Sequence, residues 1–156
     1  MSLRDQYEPG PASGAEVRKD GEKWTLVLVR DLSHPPTKVW NALTDPEHLR
    51  EWAPFDSDRN LGAVGTAQLS TVGAPKPMGG GGTRLTLWHN IDRNWISMGA
   101  SGWHVCFDVL ERFLSGAAIG RIVGPEAMKF GGWQRLNAEY AKQFGVEAPS
   151  WSGERT

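Results

Sequence analysis

A single cysteine, Cys106, leaves this chain unable to form an internal disulfide or a cysteine-built metal cage. Charge of either sign is nearly cancelled, with 17 Lys and Arg against 18 Asp and Glu. No global attraction to nucleic acid or to an anionic membrane follows from that balance. No apolar run approaches the roughly 18 residues of a membrane-spanning helix. The first residues, MSLRDQYEPGPASG, lack the apolar stretch of a secretory signal. The expectation is a soluble cytoplasmic protein. Its histidines, His34, His48, His89 and His104, show no metal-ligand spacing, so no metal and no cofactor are expected. Tryptophan and glycine, by contrast, are plentiful, with 8 and 19 residues in a chain of 156. The length suits one domain, the tryptophans point to a large aromatic interior or binding surface, and the glycines to many turns.

Residues 1–14 carry Pro9, Gly10, Pro11 and Gly14 without apolar periodicity and read as a flexible tail. Asp20-Gly21 stands between two extendable runs, which is the signature of a hairpin with a type I′ turn. The second arm, Trp24 to Val29, is apolar on both faces after Trp24 and reads as a central strand. Pro35-Pro36 then suits a first helical turn, with Val39, Trp40 and Leu43 at helical spacing. A second short helix begins near Thr44-Asp45-Pro46-Glu47, capped by either Thr44 or Asp45, and Pro54 closes it. Between Gly62 and Val72 one poorly packing strand fits, followed by a loop at 73–78 and a flexible run of four glycines, 79–82. Thr83 to Ile91 alternates, with Leu85, Leu87 and His89 on one face. From about Ala100 the period becomes helical: Trp103, Phe107, Leu110 and Leu114 form one stripe, Ser101 is the expected N-terminal cap, and Gly116 the C-terminal stop. Residues 117–132 read as a linker. A last helix carries Trp133, Leu136, Tyr140, Ala141 and Phe144 and is expected to pack outside the sheet.

The run Val39-Trp40-Asn41-Ala42-Leu43-Thr44-Asp45-Pro46, the strand Gly82 to Leu87 and the helix opening Gly102-Trp103-His104 occur in an order that resembles the START-like, Bet v 1-like superfamily. The resemblance is closest to its branch related to the C-terminal domain of the activator of Hsp90 ATPase. It implies an α+β fold of helix-grip type, an antiparallel sheet wrapped on a long C-terminal helix, over residues 15–116. Residues 117–147 are then a linker with an extra helix, and 148–156 a tail. The resemblance calls for further strands between Trp52 and Gly82 than that segment holds, so an incomplete sheet is expected, with a deletion near Pro77-Met78-Gly79. Open edges of such a sheet invite pairing into a homodimer.

The same resemblance implies an apolar pocket between sheet and long helix. Its candidate residues are Trp40, Trp52, Leu87, Trp88, His89, Trp103, His104, Phe107 and Leu110. The expected occupant is a small hydrophobic molecule, bound without catalysis. A protein-interaction module of co-chaperone type is the alternative, and a cyclase- or dehydratase-like enzyme a second one. For the enzyme the sequence offers only His89 and His104 as acid–base candidates, with no motif joining them. Gly99-Ala100-Ser101-Gly102 lacks the spacing of a nucleophile elbow. Cys106 lies in an apolar stripe, where a thiol is inert. Asp108, Glu111 and Arg112 read as a solvated face.

Overall fold

A computed structural model describes residues 4–56, 69–72, 82–130 and 132–147. The chain begins with a hairpin of β1 (Ala15–Asp20) and β2 (Lys23–Leu32). Two short helices follow, α1 (Pro36–Thr44) and α2 (Pro46–Trp52). Strands β3 (Leu69–Val72) and β4 (Gly82–Asn90) complete the sheet, and α3 (Ile96–Leu114) is the long helix. A 3₁₀ helix at Gly124–Lys129 leads to α4 (Trp133–Phe144). The described strands form one antiparallel sheet in the order β1-β2-β4-β3. This is the expected α+β, helix-grip arrangement. The strand anticipated within 62–72 is β3 at its C-terminal end; the loop at 73–78, glycines 79–81 and the tail at 148–156 lie outside the described residues.

The hairpin turn differs from expectation in type. Asp20 pairs with Lys23, so the two-residue loop is Gly21-Glu22. Gly21 alone has positive φ, at 63°. That is the type II′ pattern, which needs glycine only at the first central position. Strand β2 is central, as its composition required, and Leu26, Val27 and Leu28 are all buried. Leu26, Leu28 and Leu32 face the helices with Leu85 of β4. Val27 lies on the opposite face, opposite Trp88 in the register.

Of the two caps weighed for α2, Asp45 is the one used. Its carboxylate accepts from the Glu47 amide at 2.9 Å, and Pro46 occupies the first helical position. The Thr44 hydroxyl instead donates back to the Trp40 carbonyl at 2.8 Å. Ser101 is not the cap of the long helix. The helix starts five residues earlier at Ile96, and the buried Ser101 hydroxyl donates to the Ser97 carbonyl at 2.9 Å, inside the second turn. The stop at Gly116 is as expected: with φ at 79° it lets the Ala117 amide reach the Arg112 carbonyl at 2.8 Å.

Helix α3 is buried on nearly all sides because four layers meet it. The α1–α2 pair and β2 cover one flank, and α4 and the 3₁₀ helix cover the other. Residues 117–132 are therefore no loose linker: Ile119, Ile122 and Ala127 belong to the main core together with Leu136 and Tyr140 of α4. The N-terminal segment expected as a tail is likewise laid onto α3 and α4. Tyr7 is buried, Arg4 donates to the carbonyls of Ile119 and Gly120 at 3.0 and 2.9 Å, and the Ala12 amide donates to Glu139 at 3.0 Å. No helix among the described residues is long and apolar enough to cross a membrane.

Candidate functional site

A cavity of about 320 Å³ lies beside the N-terminal half of α3. Helical spacing puts Met98, Gly102 and Cys106 on the face that forms its floor, with Trp103 at the side. The segment after α3 forms the facing wall through Ile122, Val123, Ala127 and Met128, and Trp133 closes it from the start of α4. Pro54, just beyond α2, and His89, near the end of β4, complete the rim. The sheet contributes only His89 among the described lining residues, so this cavity is not the one expected between sheet and long helix. That side of α3 is filled. Trp52 packs against Phe107 with ring centres 6.2 Å apart, and Phe107 against Trp103 at 5.9 Å.

Gly102 explains part of the hollow. A Cβ built on it meets no atom within 4 Å, so the missing side chain is cavity space. At Gly99, one turn earlier, a Cβ would stand 2.6 Å from the Ile91 side chain; there glycine permits close packing instead.

The imidazole of His89 is oriented by its neighbour. The Trp103 indole N–H donates to His89 Nδ1 at 3.2 Å, with the rings edge to face. An indole nitrogen only donates, so Nδ1 must be the bare acceptor and the ring proton sits on Nε2. Cys106 is buried, and burial pushes its thiol up to about 12, which keeps it protonated at neutral pH.

Of the nine residues expected to line a pocket, His89 and Trp103 do so. Trp52, Phe107 and Leu110 are core residues, the first held by its indole N–H on the Ala42 carbonyl at 2.8 Å. Trp40 and Leu87 are half-buried away from the cavity lining. Trp88 is 51% exposed on the outer face of the sheet, with the Arg18 guanidinium 4.6 Å over its ring. His104 is buried elsewhere, its Nδ1 hydrogen-bonded to the Tyr140 hydroxyl at 2.7 Å. His89 and His104 thus have different partners on different elements, and no acid–base pair is formed. The wall from Ile122 to Trp133 was hidden behind its glycines and proline. Its readable signal was the apolar pair Ile122-Val123 followed by Ala127-Met128 at helical spacing.

A second cluster joins the elements around Asp108, a residue whose spacing suggested a solvated face. Arg30, on the inner face of β2, donates to Asp108 at 2.7 Å and to Glu111 at 2.8 Å. Tyr7 donates to the other Asp108 oxygen at 2.5 Å. His104 Nε2 lies 3.5 Å from that same oxygen. Burial lowers the His104 pKa below its ordinary 6.5, outweighing the pull of Asp108, so the ring is neutral at neutral pH and this contact is not an ion pair. Burial, and then the Asp108 charge and hydrogen bond, raise the Tyr7 hydroxyl far above its usual value. The cluster works as a staple between the N-terminal segment, sheet, α3 and, through Tyr140, α4.

A pH dependence follows. The unfolded chain takes up a proton on His104 near its ordinary value, whereas the folded chain resists it. The unfolded state then binds more protons below that value, so stability falls as pH drops below about 6.5. Urea midpoints at about pH 7 and about pH 5 should show a loss for the wild type that is smaller in His104→Gln. Equal losses in both proteins would mean that another group governs the acid limb.

A model of the family described as "Activator of Hsp90 ATPase homolog 1-like protein" matches residues 33–73, the stretch from the end of β2 through α1 and α2 to β3. The crystal structure of CalU16 from Micromonospora echinospora is similar at 21% identity and a TM-score of 0.53, over 88% of this chain and 98% of that one. Its solution structure is similar at 17% identity and a TM-score of 0.54, over 88% of this chain and 94% of that one. A conserved protein of unknown function, EF2215 from Enterococcus faecalis, is similar at 14% identity and a TM-score of 0.52, over 83% of this chain and 89% of that one. No curated protein matches. The family match covers residues 33–73 only, and the likeness to the solved structures is one of fold, an α+β helix-grip arrangement.

Proposed function

We propose that this protein binds a small, neutral, hydrophobic molecule in the cavity between α3 and the 122–133 wall, without catalysing a reaction on it. The observation that carries this reading is the composition of the lining. The twelve described lining residues include no Asp, Glu, Lys or Arg, and Met98, Met128, Trp103 and Trp133 supply large polarizable surfaces. A volume of about 320 Å³ lies at the small end of ligand sites, which run from roughly 300 to 1,000 Å³. Methionines adapt to ligand shape, and apolar burial supplies about 25 cal/mol per Å². None of the described lining residues carries a charge to compensate the desolvation of an ionic ligand. A catalytic reading finds less support, because burial keeps the Cys106 thiol protonated.

Isopropenylnaphthalene, a neutral hydrocarbon of fitting size, is a suitable first probe. Titration followed by ¹⁵N-resolved NMR should saturate at one molecule per chain and shift the indole N–H signals of Trp103 and Trp133 most. Shifts centred on the exposed Trp88 and Trp95, or no saturable change, would overturn this site.

A further inference from the structure

The lining is asymmetric in its hydrogen-bonding capacity. Among the described lining residues there is no carboxylate, side-chain amide or hydroxyl. Their polar side-chain groups are the indole N–H of Trp103 and of Trp133, the Cys106 thiol and the imidazole of His89. The Trp103 N–H is spent on His89 Nδ1, and in doing so it fixes the ring proton on Nε2. Among the described residues no group accepts from His89 Nε2–H. His89 therefore carries an oriented, neutral donor at the rim, and the other described lining residues offer no strong side-chain acceptor to a ligand.

We infer that the ligand of this cavity is a hydrophobic molecule with a hydrogen-bond acceptor, a carbonyl or ether oxygen, at the end that meets His89 Nε2–H, and not a donor such as an amine. The inference rests on the binding reading above and narrows it to a chemical class. Trp103 acts as a positioning residue for the imidazole. A ligand amine would face His89 with donor against donor, whereas a ketone oxygen accepts from Nε2–H.

The test uses two probes of the same shape. Acetylnaphthalene and isopropenylnaphthalene differ only in carrying C=O or C=CH₂. The ratio of their dissociation constants is measured by NMR titration in the wild type, in His89→Phe and in His89→Gln. Comparing the ratio between proteins cancels the different hydration of the two probes. A single neutral hydrogen bond should move the ratio in favour of the ketone by about three- to tenfold in the wild type relative to His89→Phe. His89→Gln, whose amide can accept from Trp103 and still donate, should recover most of that preference. The phenyl ring keeps the edge-to-face contact with Trp103, and any change in packing at this position acts on both probes and cancels in the ratio.

An unchanged ratio in all three proteins, with both probes bound at the cavity, would overturn the acceptor inference and leave the binding site standing. Failure of both probes to bind the wild type would overturn the binding reading itself. A lost preference in both His89 variants would show that shape at this position matters and the donor does not, which also overturns the inference.

Discussion

Replacing Arg30 by Met is expected to destabilise the fold by about 3 kcal/mol, the low end of the ~3–5 kcal/mol for breaking a buried ion pair, since this pair keeps some solvent contact. The side chains of Arg30 and Asp108 are each 18% exposed. Arg30 also reaches Glu111 at 2.8 Å, and its guanidinium lies 6.0 Å over the Phe107 ring. Methionine keeps much of the stem packing but removes the cation, leaving the Asp108 carboxylate with the Tyr7 hydroxyl and a neutral imidazole. Urea denaturation gives the measure directly, provided the slope is unchanged. Adding Asp108→Asn to Arg30→Met should recover a substantial part of the loss, because the uncompensated charge is then gone. A loss below about 1 kcal/mol would place this cluster with ordinary surface ion pairs.

Gly102→Phe is expected to abolish probe binding while leaving the domain folded. The open space over Gly102 is continuous with the cavity, so an added ring enters it without meeting a neighbour at Cβ. A ring that fills this space removes apolar burial supplying ~25 cal/mol per Å², and a loss on the order of 100-fold in affinity is expected. Gly102→Ala separates the two effects of this residue. It should stabilise α3 by about 0.5–1 kcal/mol, the helix-interior preference of Ala over Gly, with only a small change in affinity. Undiminished probe binding by a folded Gly102→Phe protein would mean that the probe sits elsewhere.

Much of the architecture was legible because it rests on local rules. Alternation in β4, the doubly apolar β2 and the stripe of α3 each follow from the period of one element. The Asp45-Pro46 start of α2 and the Gly116 stop of α3 follow from local capping chemistry. The start of α3 was not legible: residues 96–99 resemble a turn with Gly99 and Ser97, and only packing of Ile96 and the tight approach of Ile91 to Gly99 make it helix.

The candidate site was less legible, for a related reason. His89 and Trp103 could be singled out from one strand and one helix opening, but the wall facing them comes from residues 122–133, whose glycines and proline conceal any period. Asp108 misled in the opposite direction. Its spacing to Glu111 and Arg112 describes a solvated face, and only the return of Tyr7 and Arg30 from distant parts of the chain covers it.

The sequence by itself determined the class of fold, the order of elements and the aromatic character of the interior, because periodicity, caps and turn residues act over a few positions. The tertiary structure alone decided where the hollow lies. The side of α3 toward the sheet fills with Trp52 and Phe107, while Gly102 leaves room on the side toward the C-terminal wall. A cavity is what remains when elements distant in the chain pack together, and no local pattern records that remainder.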